Sequence, residues 1–254
     1  MASTPWDFIA KLVCIGDSGC GKSSLTIRLC EGRFTPHHDV TIGVEFGSRI
    51  VPVGPPHSKA SPPSSAAAAV SAAASDGLPE PPRDTSHKPQ KHMKLSLWDT
   101  AGQETYKSVT RSYFRGASGA LLVFDLSRKQ TFQHATDWLN DLRQIAEPDI
   151  VVVLVGNKAD LTQQEENKRE VTREEAEEWA RRNGIMEYVE TSAKSGENVE
   201  KAFMRVAESI YQNIQAGKYD LNDRRSGVKG PGAGGNRQVR LNSDANKAVA
   251  GGCC

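Results

Sequence analysis

The sequence predicts an α/β fold, a mostly parallel β-sheet with helices on both faces. Three observations predict it. Apolar runs of strand length alternate with segments of helical periodicity along most of the chain. Gly119–Asp125 and Ile150–Val155 are apolar almost throughout, as parallel strands buried on both faces are. Glycine and polar clusters follow the strands, which gathers them at the carboxyl edge of one sheet, where α/β folds bind ligands.

The elements follow in order. Ile9–Ile15 reads as a buried strand, and Leu25, Ile27 and Leu29 mark a helix ending near Cys30. Pro36 excludes a helix through Phe34-Thr35-Pro36. Glu45–Val53 alternates imperfectly, and Pro52 suits only an edge position or a strand end. Met93–Trp98 is an alternating strand, followed by a helical stretch and the strand Gly119–Asp125. A long helix is expected from Thr131 to about Glu147, with Pro148 marking its end. After Ile150–Val155, Thr172 and Glu175 form a capping box for a helix that Gly184 closes. The acidic stretch Glu165–Glu178 reads as a solvated face. Met186–Val189 is a short strand, and the last helix buries Val199, Phe203, Val206, Ile210 and Ile214.

Two segments break the pattern. Gly54–His92 holds repeated prolines, an alanine-rich run and almost nothing large and apolar, so it reads as a disordered insertion. It is either a partner-docking arm or translated intron. Residues 216–254 read as a flexible tail with a modest basic excess. The domain is therefore expected over residues 7–215, interrupted by 54–92.

Bulk properties exclude several classes. A net charge of +1 offers no general field for nucleic acid. Five cysteines make no disulfide framework and suit a reducing compartment. Met1–Phe8 lacks the basic start and apolar core of a signal peptide. The longest apolar runs fall far short of the ~20 residues of a spanning helix.

The chemistry begins at Gly16-Asp17-Ser18-Gly19-Cys20-Gly21-Lys22-Ser23, which fits G-x-x-x-x-G-K-[ST] between a strand and a helix. Its backbone N–H groups, through Ser24, can converge on phosphate oxygens, aided by the positive end of the helix. Lys22 supplies a point charge for the outer phosphates, and Ser23 a hydroxyl for Mg²⁺. The loop by itself leaves the base open, and also the choice among kinase, motor and switch.

Asn157-Lys158-Ala159-Asp160 decides the base. Guanine presents two donors on its Watson–Crick edge, and one carboxylate, Asp160, accepts both. Adenine would leave that carboxylate unpaired, at about 2–5 kcal/mol. Asn157 either binds the acceptor side of the ring or braces neighbouring loops. Ser192-Ala193-Lys194 offers a backbone N–H to the 6-oxo group, and the Lys158 stem a stacking surface. Asp99 follows a strand, as a second Mg²⁺-holding carboxylate should. Gly102 can bring its N–H to a γ-phosphate, Gln103 can orient water, and the Thr41 hydroxyl can reach the metal. Taken singly, Asp99 is equally a helix cap and Thr41 an ordinary strand residue; their order and spacing favour the site.

These residues resemble those of Ras-superfamily small GTPases, and specifically Rabs. Ile42-Gly43-Val44-Glu45-Phe46, Lys94-Leu95-Ser96-Leu97-Trp98, Tyr113-Phe114-Arg115-Gly116 and the Cys253-Cys254 end carry the likeness. The closest subgroup is the type-two and type-four Rabs of the ER–Golgi boundary and early endosome. The resemblance implies a three-layer P-loop GTPase domain with six strands, one of them an antiparallel edge. It makes Thr41 the switch I metal ligand, Phe34 the cover of the guanine, and Gln103 the catalytic residue beside Lys22. Ile42, Gly43, Phe46, Trp98 and Tyr113 would meet effectors, although burial in the core would otherwise suit the three aromatics. Cys253 and Cys254 would each carry a geranylgeranyl group, and two chains are what stable anchoring needs. The implied partners are GTP and GDP, effectors, an exchange factor, a GTPase-activating protein, a prenylation escort and a GDP-dissociation inhibitor. The implied place is the cytoplasmic face of endomembranes, with a cytosolic pool and a monomeric state. A small-molecule kinase would need an acceptor pocket and a lid, which the sequence does not offer. A GTP-gated scaffold with hydrolysis impaired by the insertion is the alternative.

Overall fold

A computed structural model describes residues 5–36, 39–55, 89–163, 167–185, 187–221, 223 and 226–230. The 56–88 portion of the insertion, Met186, and Cys253 and Cys254 lie outside the described residues.

Alternation along β1 (Phe8–Ile15) builds two cores. Phe8, Ala10, Leu12 and Cys14 face one side, Val13 and Ile15 the other. The same division holds in β4 (Gly119–Asp125) and β5 (Val151–Asn157), whose residues are all buried, which explains their unbroken apolar runs. On one face lie α1 (Lys22–Glu31) and α6 (Val199–Gln215), with Leu25, Phe203 and Val206 in the core. On the other lie α3 (Lys129–Gln133), α4 (Ala135–Ile145) and α5 (Arg173–Arg182), preceded in the chain by α2 (Lys107–Ser112).

The remaining strands are β2 (Val44–Val53), β3 (Lys91–Thr100) and β6 (Glu187–Glu190). Six strands follow the order β2-β3-β1-β4-β5-β6, parallel along this path except for the antiparallel β2–β3 pair at one edge, and a short seventh joins β1 off the path. This is the predicted mostly parallel α/β sheet with one antiparallel edge strand. Pro52 sits on that edge, where a missing N–H costs no ladder bond to a second neighbour. Thr172 caps α5 by accepting the Glu175 N–H at 3.1 Å, as its spacing predicts.

Four details differ from expectation. The helix expected over Thr131–Glu147 starts earlier and is divided at His134, whose carbonyl accepts from both Asp137 and Trp138. The shared acceptor tightens that turn. β3 continues through Asp99 and Thr100, so Asp99 is a strand residue and not a helix cap. The same strand begins at Lys91, so Lys91 and His92 belong to the sheet, with Val53 paired to Lys91. Lastly, the stretch expected to be flexible tail includes β7 (Val228–Lys229), antiparallel to β1 at Ala10 and Ile9. Val228 is fully buried there, and Tyr219 and Leu221 pack against the same core. Apolar burial holds this strap, and its polar, glycine-rich sequence hides the few residues responsible.

Candidate functional site

The loops leaving β1, β3, β5 and β6, with the segment between α1 and β2, line a cleft of about 590 Å³ at one edge of the sheet. That volume suits a ligand of nucleotide size. Ser18, Gly19, Gly21, Lys22, Ser23 and Ser24 line one end, with Thr41 and Gly102 beside them. Phe34, Asn157, Lys158, Asp160, Ala193 and Lys194 line the other. Sites distant in sequence thus become two ends of one cleft.

The phosphate loop is built by close approach. Gly21 has a left-handed φ of 90°, and a Cβ there would lie 2.4 Å from Asn157 Nδ2. Only glycine meets both demands. Lys22 is buried, and its Nζ donates to Gly16 O at 2.9 Å and Asp17 O at 3.0 Å. The loop is clamped from outside as well. Asp17 accepts from Trp138 Nε1 at 2.8 Å and lies 2.7 Å from His134 Nδ1, while Arg128 donates to Ser18 O at 2.9 Å. Cys20 is buried, and burial pushes its thiol up. Cys14 is pushed up to about 12 by burial, with the Asp99 charge adding to it. Neither thiol is a nucleophile near neutral pH.

Two of the three oxygen donors expected for a metal, Ser23 and Thr41, meet at the phosphate end of the cleft, whose lining does not include Asp99. Ser23 Oγ and Thr41 Oγ1 are 2.9 Å apart. Asp99 is buried at the end of β3, opposite Cys14 of β1. Two hydroxyls and a carboxylate are the hard, oxygen-only set that Mg²⁺ takes when phosphate oxygens complete its shell. Among the described residues no group of three or more His, Cys, Asp or Glu side chains is placed to hold a metal without such help.

Gly102 closes against the phosphate loop. Its carbonyl accepts the Ser18 N–H at 3.0 Å, and a Cβ on it would lie 2.5 Å from Asp17 C, Ser18 N and Lys22 Nζ. Gln103 is half-exposed and does not line the cleft.

At the base end the side chains are already held. Asn157 Nδ2 donates to Cys20 O at 2.8 Å, while its Oδ1 accepts from Thr191 Oγ1 and Ala193 N, each at 3.2 Å. Of the two roles open to Asn157, bracing neighbouring loops is the one the geometry displays. Of the Ser192-Ala193-Lys194 amides expected to offer one N–H to the 6-oxo group, that of Ala193 is engaged by Asn157. Ser192 Oγ donates to Asp160 Oδ1 at 2.6 Å, fixing a carboxylate that lines this end of the cleft. Lys158 sits at φ 69°, with Nζ 2.7 Å from buried Asp125. Asp125 also accepts from Ser127 N and Oγ. Sequence reasoning passed over Asp125, although its place at a strand end was a usable signal. Asp17 lay inside the motif, but its partners His134 and Trp138 are more than a hundred residues away.

A model of the Ras family matches residues 11–60 and 80–212. The chain belongs to the Ras family. Membership makes this protein a small GTPase in kind, a guanine-nucleotide binder by family. The match passes over residues 61–79, inside the proline- and alanine-rich insertion.

Beside β2 and β3 lies an aromatic stack that is exposed at Phe46 and half-buried at Trp98 and Tyr113, with Trp98 packed against the second core. Phe46 meets Trp98 edge-on at 4.6 Å, and Trp98 meets Tyr113 at 5.6 Å. Phe46 is 67% and Ile42 77% exposed, so Phe46 lies outside the core. Lys11 Nζ lies 3.9 Å from the Trp98 ring centroid and adds a cation–π contact.

Proposed function

We propose that this Ras-family protein is a Rab-type switch that binds GTP with Mg²⁺, hydrolyses it slowly and recruits effectors to a membrane in the GTP state. The observation that carries the reading is the Ser23–Thr41 contact of 2.9 Å. It draws the segment leading into β2 onto the phosphate loop, so that a γ-phosphate and its cation bear directly on the exposed Ile42–Phe46 surface.

Bound Mg²⁺ would neutralise β- and γ-phosphate charge, with Ser23, Thr41 and Asp99 to hold it. Lys22 places its ammonium at the outer phosphates. Gln103 orients water for in-line attack once the segment it begins closes, and an activating protein supplies an arginine, of which there is none among the described residues lining the cleft, worth about 10³–10⁵ in rate. Asp160, aimed by Ser192, accepts the two donors of guanine, and Phe34 covers the ring. Loss of the γ-phosphate releases Thr41 and Gly102 together.

The Rab motifs around Phe46, Trp98 and Tyr113 support the effector surface, and exposed Ile42 and Phe46 supply apolar area for it. Cys253-Cys254 supports double geranylgeranylation and a place on ER–Golgi or early endosomal membranes. A scaffold without hydrolysis is favoured only by the position of Gln103 outside the cleft lining. Single-turnover hydrolysis of bound GTP, with and without activating protein, separates the two. Wild type should outpace Gln103→Leu by at least about tenfold; equal rates would overturn the switch in favour of the scaffold. Intact mass of the protein from its own cell tests the two lipids.

A further inference from the structure

The loop that reads the base is held from the far side by one arginine of α1. Arg28 Nε donates to Ala193 O at 2.9 Å, Nη2 to Lys194 O, and Nη1 to Gly32 O at 2.7 Å. Its own carbonyl accepts the Gly32 N–H at 3.0 Å. One guanidinium fork thus satisfies three carbonyls, two of them in a loop 165 and 166 residues away.

A planar trans peptide carries its C=O and the following N–H on opposite sides. Gripping Ala193 O from α1 therefore turns the Lys194 N–H away from Arg28. Ala193 and Lys194 both line the cleft. Gripping Lys194 O orders the next peptide in the same way, and its Ser195 N–H donates to Ser192 Oγ at 3.1 Å. Ser192 Oγ in turn donates to Asp160 Oδ1. The chain of bonds from Arg28 ends on the carboxylate proposed to accept the base's donors, and it passes the Lys194 amide, the one turned away from Arg28. The third bond fixes Gly32, two residues before Phe34, which lines the same cleft.

We propose that Arg28 is a positioning residue for base selection. It aligns the 191–195 loop so that an amide meets a purine 6-oxo group while Asp160 meets N1–H and the 2-amino group. The inference rests on the guanine-nucleotide reading and deepens it. An arginine in the last turn of a helix also interacts favourably with the helix dipole. That role alone would affect all nucleotides equally.

The test measures equilibrium affinity of the full chain, with Mg²⁺, for GDP, IDP, ADP and 2-aminopurine riboside diphosphate. The first two carry the 6-oxo group and N1–H; the last two carry neither. Arg28→Gln should weaken GDP and IDP by about tenfold to a hundredfold and the other two by less than about threefold. The preference for GDP over ADP then falls at least about threefold. Arg28→Lys, with a point charge and no fork, should fall between. An unchanged GDP/ADP ratio overturns the proposal, whether all four affinities drop together or none does. Should Arg28→Gln unfold in a melting experiment without nucleotide, the Arg28→Lys ratio decides. Wild type showing no preference for GDP over ADP would instead overturn the guanine reading, before any variant enters.

Discussion

Val53 stands directly opposite Lys91 in the β2–β3 ladder, so the long insertion leaves and rejoins the sheet at one rung. The neck is stapled on both sides. Gly54 N donates to Glu208 Oε2 at 3.0 Å, Gln90 Nε2 donates to Val53 O at 2.9 Å, and Asp7 accepts from Lys91 Nζ and His92 N. The rung lies at the opposite end of β3 from Asp99, away from the cleft. Replacing residues 55–89 by a two-residue turn should therefore leave the fold intact. By loop-closure entropy alone it should stabilise the protein by about 2 kcal/mol. Urea unfolding of the two chains checks it; a loss of stability would show that the insertion packs on the domain.

Gly102 has no room for a methyl group against Asp17, Ser18 and Lys22. Gly102→Ala should push its segment off the phosphate loop by about an ångström and slow single-turnover GTP hydrolysis by about a hundredfold. Hydrolysis within threefold of wild type would mean the segment closes differently from the arrangement seen.

Val228 ties the strap to β1 in the core beside α6. A chain ending at Gln215 should lose about 2–4 kcal/mol, and one ending at Gly230 should lose almost nothing. Val228→Asp in the full chain should match the shorter truncation or exceed it, because it buries a charge. Equal melting temperatures for both truncations would show that the strap contributes no stability.

Phe46 and Phe203 separate surface from core. Phe203 is fully buried between the sheet and α6, so Phe203→Ala should cost about 3–5 kcal/mol. Phe46→Ala removes an exposed ring whose contact is the edge of Trp98, and should cost under about 1.5 kcal/mol. Denaturant midpoints of the two variants test the contrast.

Acid sensitivity should centre partly on Glu190, at the end of β6 just before the base-reading loop. Burial works to raise its carboxyl, but the two Arg169 bonds at 2.9 and 2.8 Å, with the Tyr188 hydroxyl, hold it below the ordinary 4.5. A depressed carboxyl stabilises the fold fully above its unfolded value and loses that contribution as pH falls through the folded value. Glu190→Gln should lower stability near neutrality and flatten its decline between about pH 5 and pH 3. A decline as steep as wild type's would remove Glu190 from the cause.

Local pattern was enough for much of this protein. Buried parallel strands need unbroken apolar runs, so β4 and β5 were legible residue by residue. The loop from Gly16 was legible because its tight turns demand glycine at fixed spacing, and the place of Asn157, Lys158 and Asp160 because they follow a buried strand at the same sheet edge. What the sequence could not show was contact across distance. Arg28 reads as one more polar residue on an amphipathic helix until the fold brings Ala193 and Lys194 beneath it. Asp125 reads as a strand end until Lys158 reaches it, and Val228 as tail until β1 pairs with it. Phe46 looked fit for a core, and only the position of β2 at the sheet edge left it exposed. Periodicity and motif spacing determined the elements and the ligand class; tertiary packing decided which distant groups hold the site still, because those bonds have no sequence neighbour to announce them.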